Sequence, residues 1–170
     1  FRICEALTSD KSPIEFRETV RDGKGDAVTL LKLLDDFDEY GNPWFPLLKG
    51  PKISVVWIRM LVAPGGASIT NISAIPVAVD IQIRKVTENL GVTNTRNQKL
   101  ESVREEIQTA WTQGIEFAAG PEGLEGTAAT LDPVLWYFGK WGCSHCESSK
   151  KRQQISSVCG ACQYSPGKIK

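Results

Sequence analysis

The sequence predicts an all-α protein, and three observations support this fold class. Apolar residues recur at helical spacing in two long segments, 26–37 and 97–113. Clusters of glycine and proline separate the periodic segments at the points where helices are expected to end. With 170 residues, of which 41% are hydrophobic, the chain is long enough for one ordinary globular domain with a small appendage.

Each predicted helix begins near a capping residue or a proline and ends near a glycine. Ser12 and Pro13 are suited to open the first helix, and Asp26 can cap the second, which is expected to end at Gly41. The predicted helices cover residues 12–21, 26–41, 51–61, 79–90, 97–113 and 134–141. Residues 69–75 and 114–130 are expected to form loops, the first of them partly extended.

Two domains are expected, a helical domain over residues 1–140 and a metal-binding loop with a basic tail over residues 141–170. Charge supports the division. The chain as a whole carries 20 basic and 20 acidic side chains, a balance that does not by itself indicate a nucleic-acid partner. After Glu147, however, five basic residues follow and no acidic one. They are Lys150, Lys151, Arg152, Lys168 and Lys170. This basic end is either a solvated tail or a phosphate-binding segment.

Four of the five cysteines form two Cys-x-x-Cys pairs, Cys143 with Cys146 and Cys159 with Cys162, and twelve residues separate the pairs. The sequence contains no signal peptide and no apolar run long enough to span a membrane. We therefore expect an intracellular protein, in which such pairs bind metal rather than form disulfides. Two closely spaced pairs supply four thiolates in a tetrahedral arrangement, which favours a structural zinc ion.

Two further motifs are candidates for a functional site. Residues 44–52 contain two prolines and a glycine and predict a hairpin between helices, in which Gly50 would let a phosphate approach the backbone and Lys49 would lie nearby. Most such turns merely connect helices. Asp80 follows an apolar run and stands where a helix begins, so it is either an N-cap or a functional carboxylate.

Taken in order, these motifs resemble those of the helix-hairpin-helix DNA glycosylases, the group that includes endonuclease III and the 8-oxoguanine glycosylases. The resemblance covers residues 26–162. A Gly-Pro-Lys (residues 50–52) opens an apolar helix, a Val-Asp (residues 79–80) opens a later one, and residues 135–143 resemble the helix that delivers the family's first cluster cysteine. The chain departs from the family at Leu48, Pro51 and Ile81-Gln82.

The resemblance implies removal of a damaged base from duplex DNA and cleavage at the resulting abasic site. It assigns to Asp80 the stabilisation of the positive sugar, and to Lys52 the attack that forms a Schiff base. The target base would first be flipped out of the duplex. The resemblance also implies a [4Fe–4S] cluster on the four cysteines, whereas their spacing favours zinc, which we prefer.

Two other functions remain open at this point. A non-catalytic DNA-binding module would keep the hairpin and the metal loop and use Asp80 only as a cap. A zinc-dependent protein-interaction module would fit the balanced charge. Residues 1–43 are also fewer than the family places before its hairpin. We therefore expect either that the chain is a fragment of a longer protein, or that the base pocket is reduced or completed by a protein partner.

Overall fold

The structure, a computed structural model, describes residues 13–95, 97–118 and 126–143. Most of these residues are helical, which confirms the predicted mainly α-helical class. The chain divides into two compact units, Phe1–Ala78 and Val79–Lys170. Lys52 and the hairpin belong to the first unit, and Asp80 belongs to the second.

The first unit combines helices with a small parallel sheet. Its elements are α1 (Ile14–Asp22), β1 (Lys24–Asp26), α2 (Ala27–Asp35), α3 (Ile53–Val62), β2 (Ser68–Thr70) and a 3-10 turn (Ile72–Ala74). In the sheet, β1 and β2 are parallel and Gly25 lies opposite Ile69. The extended part predicted within residues 69–75 is thus confirmed. Strands of three residues are too short to show a period of two in the sequence.

Asp26 caps α2, as predicted. Its Oδ1 accepts a hydrogen bond of 2.8 Å from the backbone N–H of Thr29, which satisfies one donor of the first helical turn. Its other carboxylate oxygen accepts from the side chain of Asn71, which directly follows β2. The same carboxylate therefore ties the beginning of α2 to the end of the second strand.

The helix predicted from Asp26 to Gly41 ends early, at Asp35, so that boundary was wrong. Two aspartates explain the difference. The carboxylate of Asp36 accepts from Phe37 N, and that of Asp38 accepts from both Tyr40 N and Asn42 N. These local bonds replace helical hydrogen bonds and turn the chain. The Asn42 N–H also lowers the pKa of Asp38.

Aromatic packing fixes the hairpin within the first unit. The rings of Phe16 and Phe45 stack with centroids 4.0 Å apart, and the ring of Trp57 stacks with Phe16 at 5.4 Å. Phe45 and Leu48 are buried, so the first part of the 44–52 segment is anchored in the core of this unit. The hairpin is thereby held at the beginning of α3.

The second unit contains three α-helices in its described part. These are α4 (Ile81–Asn89), α5 (Leu100–Ala118) and α6 (Ala128–Tyr137), and a π-helical turn (Phe138–Cys143) continues from α6. Val103 and Ile107 of α5 are fully buried with Ile83 and Val86 of α4, as the helical periodicity predicts. None of the described helices is long and apolar enough to cross a membrane.

Two boundaries in this unit differ from the prediction. α5 continues past Gly114 to Ala118 because Trp111 and Ile115 on either side of the glycine remain partly buried. α6 begins at Ala128 instead of Val134, because Thr127 and Thr130 form a reciprocal capping box. Pro133 therefore lies inside the helix rather than at its start. The loop predicted for 114–130 was wrong for 114–118 and 128–130, while 119–125 lie outside the described residues.

The Asp26 cap predicts a pH dependence of stability. The Thr29 N–H and then the Asn71 side chain lower the pKa of Asp26 below its ordinary value of 3.8. This carboxylate therefore stabilises the fold above pH 3.8 and loses its contribution as the pH falls through the lower, folded-state pKa. Urea unfolding of wild type and Asp26→Asn should show a difference at pH 7 that shrinks at pH 3. An equal difference at both values would contradict the assignment.

Candidate functional site

Asp80 lies at the centre of the best-defined polar site in the described chain. Its backbone is extended (φ −133°, ψ −171°), and its Oδ1 accepts from Gln82 N at 2.8 Å and from Ile83 N at 3.0 Å. The residue is 7% exposed. These bonds confirm that Asp80 opens α4, where the positive end of the helix dipole favours a carboxylate.

The second carboxylate oxygen of Asp80 is bound from α6. The indole Nε1–H of Trp136 donates to Asp80 Oδ2 over 3.1 Å, across 56 residues of sequence. The N–H of a partly buried tryptophan usually finds an acceptor, and a buried carboxylate needs donors. Three N–H groups thus hold one negative charge in a fixed orientation.

Close backbone packing places the π-helical turn against the same helix start. A Cβ built on Gly139 would lie 2.4 Å from the carbonyl oxygen of Gln82 and 2.8 Å from its carbonyl carbon. No real Cβ approaches backbone atoms so closely, so glycine is required at this position. The turn that follows Trp136 therefore touches the first turn of α4 directly.

Further along α4, hydrogen bonds join this helix to α5 and to the loop before α5. Thr87 is fully buried, donates to the carbonyl of Ile83 at 2.7 Å and accepts from Trp111 Nε1 at 2.9 Å. Arg84 pairs with Glu88 at 2.9 Å and also donates to backbone carbonyls at 95 and 98. Because these bonds restrain α4 along its length, its N-terminal carboxylate is held on a rigid element.

An apolar cavity lies between α5 and α6 in the same unit. Its volume is about 360 Å³, and its walls include Trp111, Ile115, Leu131 and Val134. Among the described residues that line it, no side chain is an acid or a base.

In the first unit, the chain turns within the segment 44–52 that was predicted to form the hairpin. The carbonyl of Phe45 accepts from both Leu48 N and Lys49 N at 2.9 Å. Gly50 has φ +112°, a conformation that a side chain would strain, and its carbonyl accepts from Ser54 N and Ser54 Oγ. Open space surrounds the position of its absent Cβ, so it is the backbone conformation, not crowding, that favours glycine here.

Lys52 directly precedes α3, and Lys49 lies beside the hairpin. Lys52 is partly exposed and has helical dihedral angles, and its carbonyl accepts from Val56 N at 3.0 Å. The ammonium of Lys49 donates to the carbonyl of Asp35 and lies 3.5 Å from the centroid of the Phe37 ring. Lys49 thus stabilises the turn after α2. A DNA contact by Lys49 stays a prediction.

The predicted metal and tail residues lie largely outside the described chain. Cys143 ends the π-helical turn, whereas Cys146, Cys159 and Cys162 fall within 144–170, as do Lys150, Lys151 and Arg152. Among residues 13–95, 97–118 and 126–143, no cluster of histidine, cysteine and carboxylate side chains could hold a metal ion. The four-cysteine site therefore stays a prediction.

The bond between Trp136 and Asp80 was not predicted from the sequence. The sequence offers only an indirect signal for this bond. The chain has five tryptophans, the indole N–H of each needs an acceptor when it is buried, and the Asp80 carboxylate is a suitable acceptor. A contact across 56 positions leaves no local pattern in the chain. The requirement for glycine at position 139 could not be predicted either, because it results from close packing against the backbone of Gln82.

Comparison of the chain with protein-family models gave no match. Curated proteins and solved structures gave no match either. The resemblance described above therefore depends on the residues quoted for it.

The Trp136–Asp80 bond predicts a specific stability loss. Trp136→Phe keeps a ring in place but removes the indole N–H, so Asp80 Oδ2 loses a donor inside the unit. We expect a loss of about 1–3 kcal/mol in the free energy of unfolding by urea. The control is Trp141→Phe, at an indole that is 63% exposed. Equal unfolding midpoints for the two variants would show that the bond contributes nothing.

The Gly139 contact predicts opposite effects of two glycine-to-alanine changes. Gly139→Ala places a methyl group against Gln82 and should lower the melting temperature. Gly114→Ala, inside α5 with open space around the new Cβ, should raise stability by up to about 1 kcal/mol. Calorimetry of both variants checks the pair. A Gly139→Ala protein as stable as wild type would refute the close approach.

Proposed function

We propose that this protein is a base-excision repair DNA glycosylase with abasic-site lyase activity, acting on duplex DNA that carries a damaged base. One observation carries the proposal. Lys52 immediately precedes α3 after a left-handed Gly50, and Asp80 caps α4 as a restrained, mostly buried carboxylate. This is the order and local setting in which the motifs of the glycosylases place their lysine and aspartate.

The proposed role of Asp80 is electrostatic. Cleavage of the bond between base and sugar leaves positive charge on the sugar, and a fixed negative charge nearby lowers the energy of that state. The three N–H donors orient the carboxylate before the substrate arrives. Stabilisation of the sugar acts through the field of the carboxylate, so Asp80 does not have to exchange these donors for the substrate.

The proposed role of Lys52 is nucleophilic. Its unprotonated amine attacks C1′, the C1′–N bond breaks, and the bonding electron pair leaves with the base, which takes up a proton. Loss of a proton from nitrogen and cleavage of C1′–O4′ then give a Schiff base and a free 4′ hydroxyl. Removal of a C2′ proton expels the 3′ phosphate. Water finally hydrolyses the imine and restores the lysine.

The remaining predicted contacts would hold the DNA. The backbone at Gly50 and the neighbouring Lys49 would approach a phosphate at the hairpin, and Lys150, Lys151 and Arg152 would supply further charge. Four thiolates from Cys143, Cys146, Cys159 and Cys162 suit zinc, with a [4Fe–4S] cluster as the alternative. In either case the metal would order the C-terminal loop rather than react.

A non-catalytic DNA-binding module is the second candidate. The observation that favours it is the complete capping role of Asp80, whose Oδ1 accepts two helix N–H groups. A residue with this role is required for the fold whether or not it acts in catalysis. The hairpin would then hold duplex DNA without cleaving it.

Borohydride trapping distinguishes the two candidates. Wild-type protein mixed with duplex oligonucleotides that carry an abasic site should form a covalent adduct when the Schiff base is reduced. Lys52→Ala should abolish the adduct because it removes the amine. Lys32→Ala, an exposed lysine in α2, serves as the matched control and should trap like wild type.

Asp80 needs a compensated variant, because the amide of Asp80→Asn would face the Trp136 N–H with a second donor. The double variant Asp80→Asn/Trp136→Phe removes that conflict, and Trp136→Phe is its control. We expect base release about 100-fold slower in the double variant than in the control. If wild type binds duplex DNA but forms no adduct and releases no base, the non-catalytic module replaces the glycosylase.

A further inference from the structure

An exposed lysine lies near two tryptophan rings where α6 continues into the π-helical turn. The ammonium of Lys140 lies 4.5 Å from the ring centroid of Trp136 and 5.3 Å from that of Trp141. Tyr137, next to Trp136, is 61% exposed, and Trp141 is 63% exposed. Trp136 and Tyr137 meet edge to face at 5.5 Å. These four residues are called the aromatic–cation surface below.

The surface presents one exposed cation. Within the described stretch 126–143, Lys140 is exposed, whereas the carboxylate of Asp132 is 3% exposed. The carboxylate of Asp80, which accepts from Trp136, is 7% exposed, so the exposed charge of this stretch is that of Lys140. Large rings that remain more than half exposed leave apolar area in contact with water, which a flat apolar partner would cover. Flat rings beside a cation suit a flat ligand that carries negative charge.

We propose that the aromatic–cation surface binds an unpaired nucleobase of DNA. The base stacks on the exposed Trp141 ring, with Tyr137 beside it, and Lys140 meets the phosphate next to that base. Every nucleobase offers a flat π face, so such a surface accepts bases without regard to sequence. The phosphate supplies the charge that complements Lys140. This inference rests on the proposed function, since it names how that activity would retain an extruded base.

The surface is joined directly to Asp80. The indole of Trp136 donates to Asp80 Oδ2 through its nitrogen, while its ring lies under the Lys140 ammonium. Gly139, between the two exposed rings in sequence, packs on the Gln82 carbonyl in the first turn of α4. A base held here would therefore lie on an element in contact with the helix that Asp80 opens. Trp136 is a positioning residue in this account.

Fluorescence anisotropy with two labelled duplexes tests the inference on the full chain. The duplexes have the same sequence, and one carries a single extra, unpaired base. Trp141→Ala should weaken binding of the unpaired-base duplex by about tenfold, because a stacked base contributes that much. Binding of the fully paired duplex should not change. Phe117→Ala is the matched control, since Phe117 is 91% exposed on α5 of the same unit.

Two further variants separate stacking from loss of structure. Trp141→Phe keeps an aromatic face and should restore most of the affinity that Trp141→Ala loses. Lys140→Gln should reduce the slope of log affinity against log salt by about one, as expected when one phosphate contact is removed. Circular dichroism of each variant checks that the helices are retained.

Three outcomes would overturn the inference. They differ in whether the proposed function is retained. If Trp141→Ala binds the unpaired-base duplex like wild type, the surface does not hold a base and the proposed function stands. If Trp141→Ala weakens both duplexes equally, stacking on an unpaired base is excluded and the surface contacts DNA generally. If wild type binds neither duplex, the proposed function fails with the inference, and a protein partner becomes the occupant to seek.

Discussion

The carboxylate of Asp80 is the group on which the second unit depends. One oxygen satisfies the first turn of α4, and the other accepts from Trp136 on α6. A buried charge costs much free energy unless donors surround it, and here three N–H groups do so. The same bonds that make the charge tolerable also fix its position, which an electrostatic catalyst requires.

The restraints on α4 continue away from that carboxylate. Thr87 and Trp111 join α4 to α5 inside the unit, and the Gly139 contact fixes the π-helical turn against the first turn of α4. Helices hold a site more precisely than loops do, and Asp80 and its donors lie in helices or at a helix start.

Local signals in the sequence predicted the aspartate-capped helix starts well, the start of α6 wrongly, and the long-range contacts poorly. Asp26 and Asp80 cap helices as their positions predict, because capping needs only a short side chain and N–H groups two or three residues ahead. α2 ends early because the carboxylates of Asp36 and Asp38 accept local backbone N–H groups. The apolar stripe of residues 26–37 predicts a longer helix, and the sequence alone does not show which of these two signals is stronger. The Trp136–Asp80 bond and the pairing of β1 with β2 join distant positions, which periodicity cannot reveal.

The most direct test of the central claim is to locate the covalent bond itself. After borohydride reduction in the presence of abasic-site DNA, peptide mapping by mass spectrometry identifies the modified residue. We expect a single adduct, on the peptide that contains Lys52. An adduct on another lysine, such as Lys140 near the Trp136 ring, or at the chain terminus would contradict the assignment of the nucleophile.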